Sequence, residues 1–118
     1  MATEIVPATE ADFVAVYGHR PRYSMQGYAV RQDGRAVAIG GLYTADKRHV
    51  VFSQIKEPVS RKVIVQVCHK VMALVRARGT RVFAIRDTSL PTSASLLDHF
   101  GFQLVTKTAE GEFYQWLG

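Results

Sequence analysis

The side chains that could carry chemistry in this chain are few, and their spacing excludes several kinds of site. The four histidines stand at positions 19, 49, 69 and 99, without the close spacing of metal ligands, so we expect no metal. Cys68 and His69 are neighbours on a predicted helix, where successive side chains point about 100° apart and cannot form a nucleophile–base pair. We interpret Cys68 as a core residue and His69 as a surface residue.

Length and charge limit the class of protein. A chain of 118 residues can build one hydrophobic core, and we predict a single compact domain over residues 1–118. It has no long apolar run, no signal-peptide pattern and one cysteine, so we expect no membrane association and a cytoplasmic location. The net charge of +5 suits a phosphate-rich ligand. The charges are spread along the chain, which argues against nucleic acid. The basic and aromatic segment 19–23 could border an acceptor site, although a plain loop is the simpler interpretation.

Local signals predict the elements of the first half. Thr9 and Asp12 form the capping box of a helix that Gly18 ends. Asp33-Gly34 predicts a tight hairpin turn, and Gly40-Gly41 indicates a β-bulge or a close backbone approach. We expect strands over 4–6, 28–31, 36–43 and 49–55, the last three as an antiparallel meander.

The second half contains the longest helix, predicted over 61–78 with Ser60 as its N-cap. A strand over 81–86 follows, and the strand–helix–strand order predicts that it pairs in parallel with the strand over 49–55. A short helix over 92–100 leads to a closing hairpin of strands over 102–106 and 112–117. The apolar face of the long helix is expected at Ile64, Val67, Cys68, Val71 and Val75.

Residues 85–102, IRDTSLPTSASLLDHFGF, read as a strand, a loop, a short helix and a Gly-Phe turn into another strand. This segment resembles the late motif of the GCN5-related N-acetyltransferase (GNAT) family, and IVPATEADF is similar to the usual start of that family. The resemblance implies an α+β fold: a mixed, mostly antiparallel sheet with one parallel pair and helices on both faces. Within this family, the chain looks most like small GNAT-like proteins of tailed bacteriophages, because it is compact and contains the run VFSQIKEPVSRK.

The resemblance implies acetyl-CoA as cofactor, with its pyrophosphate at the start of the long helix. The family carries Arg/Gln-x-x-Gly-x-Gly/Ala there, whereas this chain has Arg61 followed by Ile64 and Gln66 in place of the small residues. The capped helix start and its cations still suit an anion, although solvated surface charges would give the same pattern. The expected cofactor contacts are Gln54, Ile55, Lys56, Ser60, Arg61, Lys62, Val63, Ser93 and Leu97.

The family also implies a general base near the last meander strand and a tyrosine acid in the short helix. Leu97 occupies the tyrosine position and cannot donate a proton. Glu57 is then the candidate base, acting through water, and Tyr114 the candidate acid, with Tyr43 as an alternative. Glu57 could also be an ordinary surface carboxylate beside Lys56. Tyr114 and Tyr43 could be half-buried aromatic residues of the sheet.

Two functions follow from the resemblance. The first is an acetyl-CoA-dependent N-acyltransferase that acetylates an amine of a small molecule or protein, entering from the 19–26 side. The second is a GNAT-fold protein without catalysis, serving as a binding component or as a bacteriophage virion component among phage structural proteins. A phage-encoded chain would then reside in the host cytoplasm or in the virion.

Overall fold

The computed structural model describes residues 3–45, 48–78, 82–86, 98–108 and 111–116. The described helices and strands follow the predicted order, and the strands form one mixed sheet with a helix on either face, which confirms the predicted fold class. The elements are β1 (Thr3–Pro7), α1 (Glu10–Tyr17), β2 (Met25–Gln32), β3 (Arg35–Ala45), β4 (Arg48–Ile55), α2 (Arg61–Arg78), β5 (Val82–Arg86), β6 (Phe102–Thr108) and β7 (Gly111–Trp116).

The sheet has the order β1-β2-β3-β4-β5-β7-β6. Strands β4 and β5 are parallel, as predicted, and the other neighbours are antiparallel. The closing hairpin is also present, but β7 lies between β5 and β6. Nothing in the local sequence predicts that the last strand pairs with β5, since this order depends on contacts between distant segments.

Helix α1 forms where the capping box predicts it. The Asp12 amide donates to the Thr9 hydroxyl at 3.2 Å, and the Thr9 amide donates to the Asp12 carboxylate at 2.9 Å. Gly18 ends the helix in the left-handed region with φ of 84°, which explains why glycine suits this position. The helix buries Phe13 and Val16 against β3 and β4.

The β2–β3 hairpin turns at Asp33 and Gly34, both with positive φ, as the tight-turn signal predicts. Strand β2 begins earlier than predicted, because Met25 and Gln26 of the expected connector pair with Tyr43 and Leu42. Strand β3 ends later than predicted, because residues 44 and 45 pair with β4. The close approach indicated at Gly40-Gly41 involves Gly41, which lies opposite Gly27.

The irregularity of this ladder lies elsewhere. Val30 pairs with Ala38 and Arg31 with Ala36, which leaves Val37 as the extra residue of a β-bulge. The Val37 carbonyl accepts hydrogen bonds from the amides of Lys56 and Glu57, at 2.8 and 3.3 Å. These two hydrogen bonds therefore hold residues 56 and 57 against the bulge, at the point where the chain leaves β4.

Helix α2 covers the face opposite α1. Val71, Met72 and Val75 are buried, and Val63 and Val67 pack over the β2–β3 ladder. Met72 is buried although the predicted face omitted it, and Val63, Ile64 and Cys68 are all half-buried. No helix in the described part of the chain is long and apolar enough to cross a membrane.

The short helix predicted over 92–100 lies mostly outside the described residues. Asp98 and His99 are helical, and the Gly101 amide donates to the Asp98 carbonyl at 3.1 Å. Gly101 has a φ of 92° and leads directly into β6. The Gly-Phe turn of the sequence motif is therefore present.

Candidate functional site

Strands β4 and β5 part after three residue pairs. The parallel ladder joins residues 49–51 to 82–84 and ends at Val51 and Ala84, whereas β3 follows β4 as far as Ile55. Within the described ranges, residues 52–55 therefore have no strand partner on their β5 side. An unpaired strand edge offers main-chain donors and acceptors to an extended ligand. The end of β4 thus forms one wall of a cleft in the sheet.

The start of α2 lies at the same end of the sheet, because only residues 56–60 separate it from β4. The Val63 amide donates to the Ser60 hydroxyl at 3.3 Å, so Ser60 is the N-cap that the sequence predicts. Arg61 and Lys62 are exposed, and among the described residues no hydrogen bond or ion pair engages either side chain. Their amides have no acceptor within the helix, and such a helix start can hold an anion.

The other predicted cofactor residues lie around this end of the sheet. Gln54 and Ile55 are exposed at the end of β4. The Lys56 ammonium donates to the Ala15 carbonyl at 2.9 Å and so points to α1 rather than to α2. The Val63 side chain packs inward and leaves only its main chain near the helix start. Ser93 and Leu97 fall outside the described residues.

Glu57 has a partner that the sequence did not indicate. Its carboxylate accepts a hydrogen bond from Arg35 Nη2 at 2.8 Å, and both side chains are partly exposed. A carboxylate oxygen that accepts a hydrogen bond from a guanidinium must give up that bond before it can take a proton from an amine. This pair depends on the β3–β4 pairing, which brings residues 22 positions apart together.

Tyr114 lies on β7 opposite Ala84, level with the last pair of the β4–β5 ladder. Its ring is buried among residues of α2 and β6, and its hydroxyl donates to Glu112 Oε1 at 3.3 Å. Sequence reasoning missed Glu112. The available signal was the spacing Glu-x-Tyr on a strand, which places both side chains on one face.

An aromatic cluster lies on the opposite face of β4, under α1. The Tyr43 ring is stacked on Tyr23 with centroids 5.5 Å apart and lies 6.0 Å from Phe52. Burial raises the pKa of Tyr43, and Tyr23 raises it further, so this phenol is a weaker acid than an ordinary tyrosine. The cluster borders a pocket of about 270 Å³, lined by Phe13, Tyr17, Tyr43, Val50, Val51, Phe52 and Ser53.

The remaining candidate residues do not come together in one site. His49 Nδ1 lies 3.1 Å from the Thr44 hydroxyl, and His69 is exposed with its ring at the edge of Phe100. Burial raises the pKa of the Cys68 thiol, which disfavours the reactive thiolate. The described ranges contain no group of three or more His, Cys, Asp or Glu residues that could hold a metal ion.

Comparison with known proteins gives a fold and no close relative. No family model matches the sequence, and no curated protein matches it. Among solved structures, an N-acetyltransferase from Staphylococcus aureus matches with a TM-score of 0.72 at 12% identity, covering 98% of this chain and 98% of its own. The ribosomal-protein-S18-alanine N-acetyltransferase from Escherichia coli gives 0.65 at 12% identity, covering 98% of this chain and 93% of its own.

A third match has ligands bound. The aminoglycoside acetyltransferase AAC(6')-Ib, in complex with paromomycin and acetyl-CoA, gives a TM-score of 0.59 at 12% identity, covering 98% of this chain and 92% of its own. Identities this low show the fold alone. The chain has the fold of the GNAT acetyltransferases, on nearly its full length.

Proposed function

We propose that this protein is an acetyl-CoA-dependent N-acyltransferase. The observation that carries the proposal is the cleft between β4 and β5, which opens beside the capped start of α2. One wall is a strand edge that can pair with an extended chain, and the nearby helix start can hold phosphate. The matching acetyltransferases support this assignment by their fold.

The residues of the cleft suit such a ligand in two places. The main chain of residues 52–55 would bind the extended pantetheine arm, and Arg61 and Lys62 with their amides would bind the phosphates. Bound acetyl-CoA would supply the acyl group as a thioester. Without glycine at positions 64 and 66, phosphate approaches the backbone less closely. The side chains of Arg61 and Lys62 would therefore contribute more to phosphate binding than the backbone amides.

Tyr114 is the proposed proton donor and Glu57 the proposed base. In the transfer, the amine nitrogen forms a bond to the acyl carbon while the carbon–sulfur bond breaks and its electron pair stays on sulfur. One amine proton is lost, and the sulfur gains one. Tyr114 and its hydrogen-bonded Glu112 lie level with the point where the two strands part, which suits proton delivery to sulfur.

A second function is a GNAT-fold protein that binds without catalysis, including a bacteriophage virion component. The observation that favours it is the hydrogen bond from Arg35 to Glu57, which occupies an oxygen of the proposed base. Ile64 and Gln66 at the small-residue positions favour it as well. This alternative predicts acetyl-CoA binding that is weak or absent and no acyl transfer.

Calorimetric titration with acetyl-CoA and a thiol-release assay with a panel of amines test the proposal together. Saturable heat and amine-dependent release of the CoA thiol are expected. Binding without thiol release for every amine would support the non-catalytic function. No heat at millimolar acetyl-CoA would contradict the proposal itself.

A further inference from the structure

The pocket beside β4 is made of aromatic and apolar surface. Phe13, Tyr17 and Phe52 lie with ring centroids 4.4 to 6.3 Å apart, and Tyr43 closes the cluster on the β3 side. None of the seven lining residues carries a charge. Its volume of about 270 Å³ lies just below the range of most ligand pockets, which is roughly 300–1,000 Å³. The pocket therefore suits a small ligand with a flat apolar group.

The pocket adjoins the open part of the cleft. Val51 is the last residue of β4 that pairs with β5, and Phe52 and Ser53 follow it directly. All three residues line the pocket. The side chains of Val51 and Ser53 point to the opposite face, so the pocket reaches the main chain of β4 where its partner strand has left it. A ligand here shares a wall with an acyl group held between the strands.

In the described part of the chain, α1 offers no free carboxylate to a charged ligand. Glu10 pairs with Arg20, and Asp12 pairs with Arg31. The Lys56 ammonium donates to the Ala15 carbonyl of the same helix, which adds a positive charge beside α1. A ligand carrying several positive charges therefore finds no free carboxylate of α1 to pair with.

We infer that the acceptor of the proposed transferase is a small primary amine on a single flat aromatic ring, without a second positive charge. The inference rests on the proposed function for the transfer itself. The ring of the acceptor would stack within the aromatic cluster, and its nitrogen would reach the acyl carbon across β4. The apolar surroundings favour the neutral amine, which is the nucleophilic form. The neutral amine forms the carbon–nitrogen bond, and one of its protons ends on the CoA thiol.

The test compares 2-phenylethylamine with 2-cyclohexylethylamine and spermidine in the thiol-release assay. The first two have the same chain and differ in ring flatness, and the third carries extra charge. We expect kcat/KM for 2-phenylethylamine to exceed both others by about tenfold, because the cyclohexyl ring stacks less well and spermidine carries extra charges that find no carboxylate partner. Equal or better turnover of spermidine would overturn the inference and leave the transferase proposal intact.

A matched pair of variants tests whether the ring of the acceptor binds in this pocket. Tyr43→Leu should raise KM for 2-phenylethylamine about threefold to tenfold, since it removes one ring of the cluster, and should leave KM for acetyl-CoA unchanged. Tyr28→Leu is the control, because Tyr28 is an equally half-buried tyrosine on the opposite face of the sheet. An equal effect of both variants would contradict the placement.

A binding measurement separates the two proposals. Saturation-transfer NMR on 2-phenylethylamine without acetyl-CoA should show contact of its ring protons with the wild-type protein, and less with Tyr43→Leu. Absence of this signal would overturn the acceptor inference even if acetyl-CoA binds. Absence of acetyl-CoA binding with the signal present would overturn the transferase proposal and leave the pocket as a site for aromatic amines.

Discussion

Arg31 of β2 holds both carboxylate oxygens of Asp12 in α1, with Nε 3.0 Å from Oδ1 and Nη2 2.9 Å from Oδ2. The same carboxylate accepts hydrogen bonds from the amide and the hydroxyl of Thr9. Asp12 is only 5% exposed. Its charge is stable in this buried position because these donors surround it. One residue thus begins the helix and attaches it to the sheet.

Removal of this carboxylate should destabilise the fold. Asp12→Ala breaks the ion pair and the capping box together, and we expect the free energy of unfolding to fall by about 2–4 kcal/mol. Urea unfolding measures the change. Glu10→Ala is the control, since its pair with Arg20 is exposed and should contribute about 0.5 kcal/mol or less. Equal effects of the two substitutions would contradict the role of Asp12.

The contribution of Asp12 should depend on pH. Burial raises the pKa of this carboxyl, but hydrogen bonds from Arg31 and Thr9 and the charge of Arg31 outweigh it and hold the pKa below its ordinary value of 3.8. A lowered folded-state pKa means that the stabilisation is complete above the ordinary value and is lost as pH falls through the folded value. The stability difference between wild type and Asp12→Asn should therefore shrink in acid. A difference that stays constant down to about pH 2 would be inconsistent with this linkage.

Gly41 should tolerate no side chain. An added Cβ would lie 2.6 Å from the Gly27 Cα and still closer to the Gln26 carbonyl oxygen, both main-chain atoms that cannot move aside. We expect Gly41→Ala to cost about 1–3 kcal/mol or more, measured as a lowered unfolding midpoint. Gly40→Ala is the matched control, because its Cβ would meet Val67 at an ordinary 3.5 Å. A larger loss for Gly40→Ala would show that the strands are not this close at Gly41.

The start of α2 should bind the phosphates of acetyl-CoA through Arg61 and Lys62. The double variant Arg61→Ala/Lys62→Ala should weaken binding at least about tenfold, since each charge-assisted hydrogen bond is worth about 1.5–3 kcal/mol. Titration calorimetry measures this. Arg76→Ala/Arg78→Ala removes the same charge from the other end of the helix and should change the affinity little. Similar losses in both variants would indicate only a general effect of net charge.

The hydroxyl of Tyr114 should matter for the rate rather than for the fold. Tyr114→Phe keeps the buried ring and removes only the proton donor, so we expect kcat to fall by about 10²-fold or more. Thermal unfolding should change little, because the lost hydrogen bond to Glu112 is worth about 1 kcal/mol. Glu57→Gln tests the proposed base in the same assay and should lower kcat as well. An unchanged kcat in Tyr114→Phe would exclude this tyrosine as the acid.

Features that depend on neighbouring residues were predictable from the sequence. The Thr9–Asp12 capping box, the Asp33-Gly34 turn and the Ser60 cap all form as predicted, since each satisfies main-chain groups within a few residues. The bounds of α2 agree as well. The parallel pairing of β4 and β5 followed from the length of the crossover helix.

Features that depend on distant segments were not predictable. The partners of Lys56 and Glu57 belong to α1 and β3, and no local pattern indicates them. The aromatic pocket is assembled from α1, β3 and β4, so no local pattern around Phe13 or Phe52 indicates it. Glu112 is different, because the Glu-x-Tyr spacing on β7 is a local signal for its contact with Tyr114.

The position of β7 between β5 and β6 has a consequence for a chain that lacks its last strand. A chain shortened before β7 can still pair β5 with β4, but the second edge of β5 then has no neighbour. An exposed strand edge is a template for pairing with other chains. Loss of β7 should therefore leave a protein that is prone to aggregation.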